Sequence, residues 1–286
     1  MTIRIVSDSA CDLPLDILEE YNIETAPLSV IQGEIEYLDK VTIQPNEVYD
    51  GMRNGIIYKT SQVCPDRFRE IFEKHAKNKE SVIYIGFSSA LSGTLQSAII
   101  AANNVKELYP DFDIEIIDTK AASLGFGLIV LQAAKLAKTG ASKEDILSST
   151  DYYIKHIKHI FKVDNLEYLY RGGRVSRTSA VIGGLLNIKP ILGVDEEGKL
   201  VPLEKARGKA HVLKRMVDLM DEKSKGADYK KQLIGISHSD DLEETLILKE
   251  MIEERYGTKD FIISSIGATI GAHTGPGCIA LFFLDK

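Results

Sequence analysis

The sequence predicts an α/β protein in two parts. An N-terminal three-layer α/β/α domain with a mostly parallel sheet is expected over 1–157, and a C-terminal two-layer α/β domain with a mixed sheet over 158–286. Three observations predict this. Apolar runs of strand length alternate with amphipathic runs of helix length through the first half. In the second half two strand-like runs flank a turn, which reads as a hairpin and brings in antiparallel pairing. The 286 residues also exceed one usual core, at roughly 100–200 residues per domain. The boundary is approximate, and segments are allowed to cross it.

The elements follow in order. Ile3 to Val6 reads as a short strand, and Leu13 to Tyr21 carries helical spacing around Pro14. Asp66 to Ala76 is amphipathic. Val82 to Gly86 is a bare apolar run of the kind buried in a parallel sheet. Thr94 to Leu108 reads as a helix, Ile114 to Ile117 as a strand, and Leu124 to Lys138 as an apolar helix. Ser142 and Asp145 resemble a capping box opening one more helix. Beyond it, His159 to Val163 reads as a strand and Thr178 to Leu186 as a short helix. Pro190 to Val194 and Leu200 to Leu203 flank the turn at Asp195–Gly198. Gly208 to Lys223 and Asp240 to Tyr256 read as helices, the second with Asp240 and Glu243 as cap residues. Leu233 to Ser237, Phe261 to Ile266 and Cys278 to Leu284 complete the strands.

The net charge of −7 argues against broad nucleic-acid binding, which wants a basic face. No apolar run approaches the roughly 20 residues that span a bilayer. The N-terminus has no apolar core of a signal peptide, so a cytoplasmic location is expected. Cys11, Cys64 and Cys278 lie far apart and read as free thiols, and no Cys/His spacing suggests zinc. Neither a phosphate-binding P-loop nor a nucleophile-elbow pattern occurs.

Four loops rich in small polar residues stand where ligands bind in open α/β sheets, beyond the carboxyl ends of strands. They are Ser7–Pro14, Lys59–Gln62, Phe87–Thr94 and Gly271–Gly277. In the third, Ser92, Gly93 and Thr94 sit where a helix starts, and free amides there attract anions. Taken alone, Ser92 reads first as a plain N-cap. His273, among the glycines of the fourth loop, reads as functional or structural with equal ease. Arg207, after the run VPLEKA, reads by position as a surface arginine.

Taken together, these loops resemble the DegV family, in order and over nearly the whole chain. IVSDSACDLP resembles the family's IVTDSTADLP, KTSQ its TSQP, and SSALSGTLQSA its SSxLSGTYxSA. IIDTKAASLGFG, NLEYLYRGGRVS, LLNIKPIL and IGAHTGPGCIAL continue the match. Val63 stands where proline is usual after TSQ, and Arg171 where lysine is usual before GGR.

The resemblance implies a carrier that holds one long-chain fatty acid by its carboxylate. It also implies presentation of that acid to a separate ATP-dependent kinase subunit, which forms acyl phosphate for phospholipid synthesis. The carrier itself is then not an enzyme and needs no cofactor or metal. It does not span the membrane, although transient membrane contact is compatible with the role. By the same resemblance, Thr60, Ser61, Ser92, Gly93, Thr94, His273 and Thr274 bind the ligand, with Arg207 supporting the histidine. Arg171 and Arg174 meet the kinase. Candidate apolar walls are Leu91, Phe126, Ile182, Leu185, Leu186 and Ile270, each of which reads first as plain core. The rival readings are a stand-alone hydrolase or phosphotransferase using Ser92, and a binder of another apolar acid.

Overall fold

The computed structural model describes residues 2–176 and 188–286. The first part opens on β1 (Ile3–Asp8), α1 (Leu15–Glu20) and β2 (Glu24–Ala26). Next come β3 (Ser29–Gln32), β4 (Ile35–Leu38), α2 (Pro45–Arg53) and β5 (Tyr58–Ser61). It then runs through α3 (Pro65–Lys77), β6 (Ser81–Gly86), α4 (Thr94–Leu108), β7 (Ile114–Asp118), α5 (Ser123–Lys138) and α6 (Lys143–His156). Strands β2, β1, β6 and β7 lie side by side in that order, all parallel. Every residue of β6 is buried, as a central strand covered on both faces requires.

The second part contains β8 (Ile157–Lys162), α7 (Glu167–Arg171), β9 (Ile188–Val194), β10 (Leu200–Arg207) and α8 (Lys209–Lys223). It closes with β11 (Ile234–His238), α9 (Leu242–Tyr256), β12 (Phe261–Ser265), α10 (Ala268–Thr274) and β13 (Ile279–Leu284). Its sheet runs β10, β9, β8, β13, β11, β12, with β11 and β12 parallel and the other neighbours antiparallel. This is the mixed sheet expected from the hairpin.

Helix α5 explains how the two sheets meet. It is apolar nearly all round, and it packs on β1 and β6 on one side and on β8, β11 and β13 on the other. The strand alternation then sorts the mixed sheet. Ile160, Ile279, Leu281 and Phe283 point away, toward α8 and α9, while Phe161, Cys278, Ala280 and Phe282 point toward α5. The inward set joins the core of the parallel sheet in one continuous cluster that crosses residue 157.

The segment from Glu24 to Ser61 differs from the sequence reading, which assigned it no strand or helix. It forms β2, a three-stranded antiparallel sheet ordered β4, β3, β5, and α2. Its strands are short and partly exposed, so no alternation marks them. Helix α10 packs on α2, β3 and β5, so the later part of the chain does cross onto the earlier one. The cap of α9 is Asp241, which accepts from the amide of Glu244 at 3.4 Å, and not Asp240 or Glu243. Asp240 instead takes a left-handed φ of 57°. The expected helix at Thr178–Leu186, with Ile182, Leu185 and Leu186, lies outside the described residues.

Candidate functional site

A cavity of about 250 Å³ lies where α5, α10, the small sheet and the inward face of the mixed sheet converge. Leu28, Phe87, Phe161, Ala280 and Phe282 form a buried apolar portion of its wall, and polar side chains form much of the rest, Ser123, His159 and Thr269 among them buried as well. Of the expected wall residues, Leu91 and Ile270 line it, whereas Phe126 is fully buried core behind it.

Most of the expected ligand residues gather at the polar portion. Thr60, Ser61, Ser92, Gly93, His273 and Thr274 all line the cavity. Thr94 is fully buried and touches the cavity through Ser92, whose Oγ lies 2.9 Å from Thr94 Oγ1. The residue in the N-cap position of α4 is Gly93, and Ser92 Oγ accepts from the amide of Thr94 at 3.2 Å. Gly93 is exposed, and a Cβ there would run into the amide of Gln62. Gln62 is fixed in turn by donating from Nε2 to Ser97 Oγ at 2.7 Å.

His273 is on a helix, not on a loop as the sequence suggested. It stands in the last turn of α10, with its Nε2 2.7 Å from Thr60 Oγ1. Burial and the charges of Arg174 and Arg171 push its pKa down to about 4, so it is neutral at pH 7. Its ring rests against the backbone of Gly172, where a Cβ would strike the imidazole.

The arginine beside His273 is therefore Arg174 and not Arg207. Arg207 ends β10, opposite Ile188 in the hairpin register, is exposed, and does not line the cavity. Arg174 does line it. Gly173 adopts a left-handed φ of 74° and turns the chain back. Arg174 then donates to the carbonyl of Leu91 from Nε at 3.1 Å and Nη2 at 2.9 Å, and to that of Gly172 from Nη1. Its partners are carbonyl oxygens, and no carboxylate pairs with it among the described residues. Burial lowers its pKa, the mark of a cation held away from water without a compensating anion. Arg171 is exposed and lies over the ring of Tyr168 at 5.2 Å.

One lining residue left no signal in the sequence. His159, in the strand IKHIFK, faces the cavity with its Nε2 accepting from the amide of Ala122 at 3.2 Å. Burial depresses its pKa to about 3, and its ring meets Phe282 edge-on at 5.3 Å. It is a neutral wall residue. Among the described residues, no group of His, Cys, Asp and Glu is arranged to hold a metal ion, and no helix is long and apolar enough to cross a membrane.

The arrangement resembles known proteins along its whole length. The family model described as an uncharacterised protein of the DegV family matches residues 2–286. A DegV domain-containing protein of Clostridium perfringens is 43% identical over 282 residues, which is 98% of this chain and 96% of that one. A fatty-acid-binding DegV-family protein of Thermus thermophilus superposes with a TM-score of 0.89 at 31% identity, covering 99% of both chains. A stearic-acid-binding protein of Eubacterium ventriosum gives 0.89 at 28%, covering 99% of this chain and 98% of that one.

Proposed function

The chain belongs to the DegV family, and from that premise we propose that it is a carrier for one long-chain fatty acid. The observation that carries this reading is Arg174, a half-buried guanidinium without a carboxylate partner among the described residues, in the wall of an otherwise largely apolar cavity. A buried charge is costly unless paired. A ligand with one carboxylate and a long apolar tail answers both portions of the wall. The head accepts from the hydroxyls of Thr60, Ser61 and Ser92, the amide of Gly93 and the guanidinium of Arg174. The tail lies against Leu91, Ile270 and the aromatic wall, each buried CH₂ contributing about 0.8 kcal/mol.

The carrier reading extends to a partner. The acid, held by its head at the exposed rim, is presented to a separate ATP-dependent kinase that forms acyl phosphate for phospholipid synthesis. The work is cytoplasmic and the carrier needs no cofactor of its own. The fatty-acid-binding protein of Thermus thermophilus supports the ligand class. The kinase step rests on the sequence resemblance, in which Arg171 and Arg174 meet the partner. A serine hydrolase would need a base on Ser92. Here Ser92 is engaged with Thr94 and His273 with Thr60, so the geometry favours holding over cleaving.

The test is extraction of protein purified from a bacterial host, with mass spectrometry of the extract. One fatty acid per chain is expected, with rebinding after delipidation. An extract free of lipid, together with no rebinding, overturns the reading. Turnover of model esters by the pure protein would favour the hydrolase.

A further inference from the structure

Two carboxylates that do not line the cavity grip the helix that carries His273. Asp12 and Asp39 are each 1% exposed. Asp12 Oδ1 accepts from the amide of Gly267 at 2.8 Å. Asp39 accepts from the next two amides, Ala268 to Oδ1 at 2.9 Å and Thr269 to Oδ2 at 3.3 Å. No side chain of Gly267–Thr274 caps the helix itself. Just before the same end, Tyr49 donates its hydroxyl to the carbonyl of Ile266.

The two acids are held in their turn. Lys40 Nζ lies 3.0 Å from Asp12 Oδ1, and Ser9 donates to Asp39 Oδ2 at 3.1 Å. Ser123, where α5 begins at the cavity wall, donates to Asp12 Oδ2 at 2.6 Å. Burial would push Lys40 toward its neutral form, but the carboxylates of Asp12 and Asp39 prevail and hold its pKa above the ordinary value. The cluster is thus an ionic clamp between the β1 loop, the segment after β4, and the starts of α5 and α10.

A helix of seven residues has almost no stability of its own, so its direction is set by what holds its ends. Negative charge at the amino end is where the free amides and the helix dipole favour it. His273 lies six residues beyond Gly267, roughly 9 Å along the axis at about 1.5 Å per residue. A small tilt at Gly267 is therefore carried to the ring that meets Thr60.

We propose that Asp12 and Asp39 are positioning residues for the carboxylate site, holding α10 so that His273 reaches Thr60, without touching the ligand themselves. The proposal rests on the fatty-acid reading of the cavity and adds to it a device that acts mainly on the head, because Ile270, the tail-wall residue of the same helix, stands only half as far along it from Gly267 as His273 does.

The experiment compares palmitic acid with hexadecan-1-ol, which share a tail and differ in the head. Affinities are measured for the parental protein, Asp39→Ala and Asp39→Asn. The parental protein is expected to prefer the acid. Asp39→Ala should weaken palmitic acid about ten-fold and leave hexadecan-1-ol within about two-fold. Asp39→Asn, which keeps one acceptor, should fall between. A merely structural role would weaken both ligands alike, and that result overturns the proposal, as does an unchanged preference for the acid. If Asp39→Ala fails to fold, Asp39→Asn decides by the same split between the two ligands. A parental protein that binds neither ligand overturns both the fatty-acid reading and this one. A parental preference for the acid that survives in the variants overturns the positioning role alone.

Discussion

His273 Nε2 and Thr60 Oγ1 lie 2.7 Å apart although 213 residues separate them. The contact joins the last turn of α10 to edge strand β5 and so ties the two parts of the chain across the mouth of the cavity. A neutral histidine offers one donor and one acceptor, and a hydroxyl offers both. Thr60 can therefore bond His273 with one function and a ligand oxygen with the other.

Thr60→Val keeps the shape of the side chain and removes the hydroxyl, and Ser92→Ala does the same at the start of α4. Each deletes a hydrogen bond to a charged head, worth about 1.5–3 kcal/mol. Fatty-acid affinity should fall accordingly while a fatty alcohol of the same length is affected less. Titration calorimetry with both ligands checks it, and equal losses for acid and alcohol would remove these residues from head recognition.

The pH dependence follows from His273. Its folded pKa is depressed to about 4 from the ordinary 6.5. Between those values the unfolded chain binds the proton and the folded chain does not, so stability falls as pH drops through that window and is flat above it. At about 1.4 kcal/mol per pH unit, the ceiling is roughly 3 kcal/mol. Asp8, buried and raised to about 6, gives the opposite trend over an overlapping window, and His159, depressed to about 3, gives the same trend over a wider one. The clean measurement is therefore the difference in unfolding free energy between the parental protein and His273→Gln. That difference should be constant above pH 6.5 and shrink toward pH 4. A difference independent of pH would mean that the folded histidine titrates normally.

What the sequence disclosed, and what it hid, follows from how each residue earns its place. β6 and α5 were legible because strands and helices buried on several sides must be apolar almost throughout, and α4 because its buried residues recur at helical spacing along one face. Thr60, Ser92 and His273 were legible as members of polar loops, but their convergence depends on α10 crossing onto β5, which no local pattern encodes. α10 itself was hidden because ATIGAHT has poor helical propensity and is held from outside by Asp12 and Asp39. β4 was hidden because Ile35 and Glu36 are both exposed, which erases the alternation. Arg174 was read as a residue that meets a partner, and only the turn at Gly172 and Gly173 brings it to the cavity wall.

That turn gives a third prediction. A Cβ at Gly172 would strike the imidazole of His273, so Gly172→Ala should displace the ring from Thr60 without touching the tail wall. The expected result is weaker acid binding with unchanged alcohol binding, together with a His273 pKa that moves in an NMR titration of the ring. Gly173→Ala meets no atom but must adopt φ of 74°, a strain of roughly 1–2 kcal/mol that should appear as reduced stability. If Gly172→Ala leaves the His273 titration unmoved, the ring does not depend on this contact.

The two arginines of the segment should separate by function. Arg174→Met removes the charge from the cavity wall and leaves the Leu91 carbonyl without its donors, so acid binding should weaken by about ten-fold or more. Arg171 is exposed, contacts the ring of Tyr168 and does not line the cavity. Arg171→Glu should therefore leave acid binding within about two-fold, while slowing transfer from the proposed kinase, because rim charges act mainly on encounter. The parental reaction should slow with added salt, since exposed charges are screened over about 10 Å at 0.1 M. The decisive comparison is kinase-dependent acyl phosphate formation by both variants at saturating fatty acid. Recovery of Arg174→Met at high ligand, with Arg171→Glu remaining slow, separates head recognition from docking. If Arg171→Glu instead loses the ligand, Arg171 belongs to the site and the docking assignment falls.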